Sequence, residues 1–213
     1  MDTASLIDHT LLAPDATAQQ VSTLCHEAAE NGFLTVCVSP TRVAQAAREL
    51  EGHATLVCTV VGFPSGAHLP SVKAAETAAA VADGAAEIDM VISLGAVEDG
   101  DWERVREDIA AVVEASGDAL VKVILETALL SDAQITAACE ASEQAGADFV
   151  KTSTGFASGG ASVEAVALMR AAVGDRLGVK ASGGIRDAET LHAMVGAGAT
   201  RIGASAGSAL LGR

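Results

Sequence analysis

The chain has 213 residues, half of them hydrophobic, and a formal net charge of -15. This length supports one sizeable core and lies at the short end of the range for a single α/β barrel. The acidic balance disfavours nucleic acid and anionic membrane surfaces, which recruit Lys and Arg to neutralise phosphate, and the lack of tyrosine excludes tyrosine chemistry.

Cys25, Cys37, Cys58 and Cys139 are widely separated, without Cys-x-x-Cys or zinc-like Cys/His spacing. Neither a disulfide framework nor a structural metal is therefore expected, and they read as reduced cysteines of a cytoplasmic protein. Met1-Asp2-Thr3-Ala4-Ser5 lacks a basic region followed by an apolar one, and no apolar run approaches membrane-spanning length.

Short β-branched or apolar runs alternate with alanine-rich segments of helical period, as in successive βα units. In chain order the expected strands are Leu6 to Thr10, Phe33 to Val38, Thr55 to Val61, Glu87 to Ile92, Leu120 to Thr127, Phe149 to Thr152, Val179 to Ser182, and Arg201 to Ala204. Asn31-Gly32, Asp83-Gly84, Ala145-Gly146 and Ala197-Gly198 read as helix ends just before a strand. Asp15, Ser131 and Asp187 stand where N-caps are wanted, with Ser131 and Gln134 spaced as a capping box. Eight strands with intervening helices and no composition break predict one (β/α)8 TIM barrel spanning residues 1–213. An open doubly wound sheet is the alternative, although no Gly-x-Gly-x-x-Gly opens its first helix.

A barrel places its active site at the C-terminal ends of the strands. Of the four lysines, Lys122, Lys151 and Lys180 fall within expected strands, where a buried ammonium is costly. Lys73 belongs to a helix and is expected to be solvated. Lys151 ends strand six and opens Thr152-Ser153-Thr154-Gly155-Phe156. It reads either as a desolvated amine available for Schiff-base chemistry or as a lysine pinned by an acidic neighbour. Lys180 ends the adjacent strand, so the two ammonium groups would repel and the more desolvated one would lose its proton more easily. Lys122 lies lower and suits an ion-pairing role. Asp8 and Asp89 are acidic residues inside strands, and Glu87 and Asp89 share a face.

Ser182-Gly183-Gly184-Ile185-Arg186 and Gly203-Ala204-Ser205-Ala206-Gly207-Ser208 follow strands seven and eight. Small residues there let backbone N–H groups approach a phosphate, though such loops also serve as simple turns. Gly62-Phe63-Pro64-Ser65-Gly66 reads as an ordinary rim loop, and His9 as structural. Cys37 reads as a buried small hydrophobe at the end of strand two, with a position at the site mouth as the alternative.

Taken together, Ile7-Asp8-His9-Thr10-Leu11, Val36-Cys37-Val38, Glu87-Ile88-Asp89-Met90-Val91, Leu120 to Thr127, Lys151 to Phe156, Val179 to Arg186 and Arg201 to Ser205 resemble the deoxyribose-phosphate aldolases, a class I aldolase family. The resemblance implies a metal-free, cofactor-free barrel that reversibly cleaves 2-deoxy-D-ribose 5-phosphate to D-glyceraldehyde 3-phosphate and acetaldehyde. It makes Lys151 the Schiff-base nucleophile, Lys180 the cation that perturbs it, and Asp89 the proton-transfer group acting with Lys180 and a water. Asp8, Thr10, Cys37 and Lys122 line or support the pocket, and Gly155, Gly183, Gly184 and Ser205 receive the phosphate.

A sugar-phosphate substrate, no nucleic-acid or membrane partner, a cytoplasmic location and a homo-oligomer, a dimer in the first instance, complete this expectation. Two features depart from some members of that family. No tyrosine is present and the sequence given stops at Leu210-Leu211-Gly212-Arg213; and Phe156 stands where a phosphate-binding lysine occurs, leaving Arg186 as a candidate for that charge. Another Schiff-base barrel, a transaldolase or ketose-phosphate aldolase, would share the lysine. A non-catalytic sugar-phosphate binding barrel would keep three strand lysines without a chemical purpose.

Overall fold

The computed structural model describes residues 3–211; Met1, Asp2, Gly212 and Arg213 lie outside that range. Eight strands pair in parallel and in sequence order: β1 (Ile7–Leu11), β2 (Thr35–Val38), β3 (Leu56–Val61), β4 (Glu87–Val91), β5 (Leu120–Ile124), β6 (Phe149–Lys151), β7 (Gly178–Ser182) and β8 (Arg201–Ala204). β8 closes on β1, with Asp8 opposite Gly203, so the described residues form a (β/α)8 barrel rather than an open sheet. The outer ring comprises α1 (Ala18–Asn31), α2 (Val43–Glu49), α3 (Pro70–Ala82), α4 (Leu94–Glu98), α5 (Trp102–Ser116), α6 (Asp132–Gln144), α7 (Val163–Val173), α8 (Ala188–Gly196) and α9 (Gly207–Leu210).

Period-two alternation divides each strand between two environments. Val36, Ile88, Val123, Val150, Val179 and Ile202 belong to the main apolar core and are fully buried. Between them Asp89, Lys122 and Lys180 are equally buried, on the other face of their strands. These strands therefore carry apolar side chains on one face and charge on the other, although neither face meets bulk water.

Local signals hold at most helix ends. Ser131 and Gln134 form the expected capping box of α6, and the Asp187 carboxylate accepts the Thr190 N–H at 2.7 Å to start α8. Gly32, in the left-handed conformation at φ 69°, closes α1 with its N–H directed at the carbonyls of Ala28 and Ala29. Gly84, Gly146 and Gly198 also have positive φ after α3, α6 and α8.

Three expectations need correction. The N-cap of α1 is Thr17, whose side chain accepts the Gln20 N–H while the Gln20 side chain accepts the Thr17 N–H at 2.8 Å; Asp15 lies too early to reach the first helical turn. Strand five stops at Ile124 instead of Thr127, because Glu126 adopts φ 57°, ψ 56° and turns the chain into a short 3-10 segment, Thr127–Leu129. Lys73 is fully buried rather than solvated. It shares the inward stripe of α3 with Thr77 and Ala80, and its Nζ lies 2.8 Å from the Val91 carbonyl and 2.6 Å from Asp108 Oδ2 on α5. The alanine-rich helix has no strongly polar face to betray this orientation.

Candidate active site

Register brings the charged strand residues together. Asp89 on β4 faces Lys122 on β5, Lys151 on β6 faces Lys180 on β7, and Lys180 faces Arg201 on β8. Their side chains converge inside the barrel. Asp89 Oδ1 takes Lys122 Nζ at 2.8 Å, while Asp89 Oδ2 takes both Lys151 Nζ and Lys180 Nζ at 2.7 Å. Asp8 Oδ2 lies 2.5 Å from Lys180 Nζ, and Asp8 Oδ1 accepts from Arg201 at 2.8 Å. Glu87 completes the lower tier, with Oε2 at 2.6 Å from Lys122 Nζ and 2.8 Å from Arg201 Nη1.

The tiers are electrostatically unequal. Burial pushes the Lys180 and Lys122 ammonium groups toward neutrality, but the surrounding carboxylates outweigh it and raise both above the ordinary lysine range. Arg201 is raised in the same way by Asp8 and Glu87. Burial likewise pushes Asp8 up, yet Lys180, Lys122 and Arg201 together bring it down to about 2; Asp89, beside Lys122, Lys151 and Lys180, is held well below the carboxylate range. Three carboxylates thus meet three firmly protonated cations.

Lys151 is the member of the cluster that lines a cavity. A cavity of about 450 Å³ opens above it at the C-terminal ends of the strands, lined by Thr10, Lys151, Thr154, Gly155, Phe156, Ser182, Gly183, Gly184, Arg186, Gly203 and Ser205 among others. Lys151, Thr10, Gly155, Gly183, Gly184 and Ser205 therefore share one space. Asp89, Asp8, Lys122 and Lys180 sit beneath it. Gly155, Gly183 and Gly184 have φ of 84°, 88° and 82°, a region in which a side chain is strained. Arg186 is exposed on the cavity wall. Phe156, 52% exposed, meets Phe63 of the 62–66 loop edge-on at 5.1 Å between ring centroids.

Cys37 does not line the cavity. It is buried in a small cluster with Cys58 and Val60, with Leu12 and Phe63 packed against them. His9 pairs with Glu27 at 2.9 Å, outside the charged cluster.

Glu87 was placed by sequence on the face of Asp89 without a role, while Arg201, Cys58, Ser182 and Glu126 were not picked out as participants. Arg201 and Glu87 neutralise the lower tier, and Cys58 Sγ lies 3.3 Å from Asp89 Oδ1. Ser182 Oγ donates to the Ser153 carbonyl at 2.7 Å, and Thr154 is held by the buried Glu126 carboxylate. Arg201 had a legible signal, a charge opening a strand two residues before Gly203. Glu126 had none, because its contact depends on a turn that the strand pattern conceals.

The model of the DeoC/LacD family aldolases matches residues 3–213. The chain is 67% identical to deoxyribose-phosphate aldolase 1 of Cutibacterium acnes over 211 residues, 99% of this chain and 97% of that one. Against the deoxyribose-phosphate aldolase of Macrococcus caseolyticus it is 56% identical, covering 99% and 96%. Its fold superposes on the tetrameric deoxyribose phosphate aldolase of Aeropyrum pernix with a TM-score of 0.93 at 36% identity, covering 99% of this chain and 89% of that one. With a closed parallel barrel and an amine at the floor of its mouth, the chain belongs to the DeoC/LacD family of aldolases.

Proposed function

We propose that this chain is a class I aldolase that reversibly cleaves 2-deoxy-D-ribose 5-phosphate to D-glyceraldehyde 3-phosphate and acetaldehyde, with Lys151 as the Schiff-base amine. One observation carries the site assignment: Lys151 is the amine of the charged cluster that lines the cavity, and it shares an Asp89 oxygen with Lys180.

The Lys151 amine attacks the C1 carbonyl of the open-chain sugar, and loss of water leaves a protonated imine. A base removes the C3 hydroxyl proton as the C2–C3 bond breaks. The bonding electrons pass into the iminium, giving an enamine on Lys151, and glyceraldehyde 3-phosphate departs. Protonation of the enamine carbon and hydrolysis then release acetaldehyde and the free amine. Asp89, in contact with both Lys151 and Lys180, supports proton transfer, acting with Lys180 and a water. Lys180, held by Asp8 and Asp89, remains the cationic neighbour. Lys122 and Asp8 support that arrangement from below, Thr10 lines the sugar end, and Cys37 packs with Cys58 beside Asp89. The phosphate lies against Gly155, Gly183, Gly184 and Ser205, with Arg186 supplying charge.

This chemistry suits cytoplasmic breakdown of deoxyribose phosphates, and a homodimer is the proposed assembly; the Aeropyrum pernix relative is described as a tetramer. No helix among the described residues is long and apolar enough to cross a membrane.

Incubation with acetaldehyde and borohydride, followed by peptide mass mapping, tests the reading. A single reduced adduct on Lys151, absent from Lys151→Arg, is expected, together with turnover of deoxyribose 5-phosphate. No adduct on Lys151, or label confined to the N-terminus, would defeat it, and turnover of fructose phosphates alone would favour a ketose-phosphate aldolase.

A further inference from the structure

Glu126 is buried, belongs to no ion pair among the described residues, and is the one non-glycine residue among them with a positive φ. A long side chain in the left-handed region is disfavoured and persists where surrounding contacts impose it. Here the contacts are specific. The Glu126 carboxylate accepts the Thr154 N–H at 3.2 Å through Oε2 and also accepts the Thr154 hydroxyl hydrogen, while Thr154 Oγ1 accepts the Phe156 N–H at 3.0 Å. One carboxylate thus fixes the three-residue turn that forms a wall of the cavity beside Lys151.

The backbone on either side of Glu126 does a separate task. The Leu125 N–H donates to the Lys151 carbonyl and the Thr127 N–H to the Thr152 carbonyl, both at 2.9 Å. These bonds hold the end of β6, and so Lys151, independently of the Glu126 side chain. From this division we infer that Glu126 is a positioning residue for the sugar-phosphate end of the substrate. Its carboxylate sets Thr154, Gly155 and Phe156 in their binding geometry without governing the reactivity of the amine. The inference rests on the aldolase reading above and deepens it, by separating the control of substrate binding from the control of imine formation.

Two variants distinguish the carboxylate from the backbone. Glu126→Gly tolerates the positive φ but removes the clamp, and Glu126→Gln retains an acceptor for the Thr154 N–H. The KM for 2-deoxyribose 5-phosphate is expected to rise about tenfold or more in Glu126→Gly, the size expected for loss of hydrogen bonds to a charged group, and to take an intermediate value in Glu126→Gln. Borohydride trapping of acetaldehyde on Lys151 should proceed at the wild-type rate in both, because a two-carbon aldehyde does not extend to the Thr154 turn. An unchanged KM in Glu126→Gly overturns the inference. So does a loss of trapping in step with KM in a variant that melts as the wild type does, since Glu126 would then support the whole site. Failure of the wild type itself to trap acetaldehyde would instead remove the aldolase reading.

Discussion

Asp89 Oδ2 lies 2.7 Å from Lys151 Nζ and 2.7 Å from Lys180 Nζ, so one buried carboxylate oxygen joins the amine that lines the cavity to the amine beneath it. Lys180 has a second carboxylate in Asp8, whereas among the described residues Lys151 pairs with Asp89 alone. Asp89→Asn should therefore interrupt proton transfer more than imine formation. Its kcat for deoxyribose 5-phosphate should fall by roughly a hundredfold to ten-thousandfold, the usual contribution of a placed acid/base group, while borohydride still traps acetaldehyde on Lys151. A kcat within tenfold of wild type would show that Asp89 is only a counter-ion.

Gly203 gives Lys180 its space. A Cβ there would lie 3.0 Å from Ser182 Cβ and 3.1 Å from Lys180 Cε, tighter than ordinary contact. Displacing a side chain in a packed interior disturbs its partners. Gly203→Ala is expected to lower kcat by about tenfold, since a misplacement of about 1 Å is costly at a reacting centre, with little change in KM. Steady-state kinetics would show it, and wild-type kcat would mean that Lys180 adjusts without consequence.

Arg186 lines the cavity close to Gly183 and Gly184 and has no ion-pair partner among the described residues, while Phe156 brings an aromatic surface. If Arg186 supplies the charge for the phosphate, Arg186→Ala should raise KM for deoxyribose 5-phosphate on the order of tenfold to a hundredfold. KM for unphosphorylated deoxyribose should change little. Equal effects on the two sugars would assign Arg186 a structural role.

Acid should weaken the barrel from within. The folded-state pKa of Asp8 is about 2 against an ordinary 3.8, and the neighbouring Lys122, Lys151 and Lys180 hold Asp89 well below its ordinary value. A depressed carboxylate contributes stability that is present above its unfolded pKa and is lost as pH falls through the folded one. Urea midpoints should therefore drop between pH 4 and pH 2, with Asp8 alone accounting for on the order of 2 kcal/mol. A midpoint that is flat across that window would contradict the buried network.

The Lys73–Asp108 pair tests burial away from the cavity. Lys73→Met leaves Asp108 buried without its cation and should cost about 3–5 kcal/mol, whereas Lys73→Met with Asp108→Leu should recover most of that loss. Thermal melts of the two variants decide the matter. A single variant as stable as wild type would mean that Asp108 accepts a proton at little cost.

The sequence by itself determined the order of strands, most helix ends and the identity of the strand lysines, because period-two alternation, capping side chains and glycine positions are local properties of the chain. Asp8, Asp89, Lys122, Lys151 and Lys180 stood out because charge is unusual on strands buried on both faces. Tertiary structure alone decided which charges meet. Closure of β8 on β1 puts Arg201 beside Asp8, 193 residues apart, and the parallel register sets Lys180 opposite Lys151. It also decided that Lys73 points inward, since alanine-rich helices mark their faces weakly, and that Glu126 leaves the strand to hold Thr154. Such contacts follow from closing the sheet, which fixes distances that no local pattern encodes.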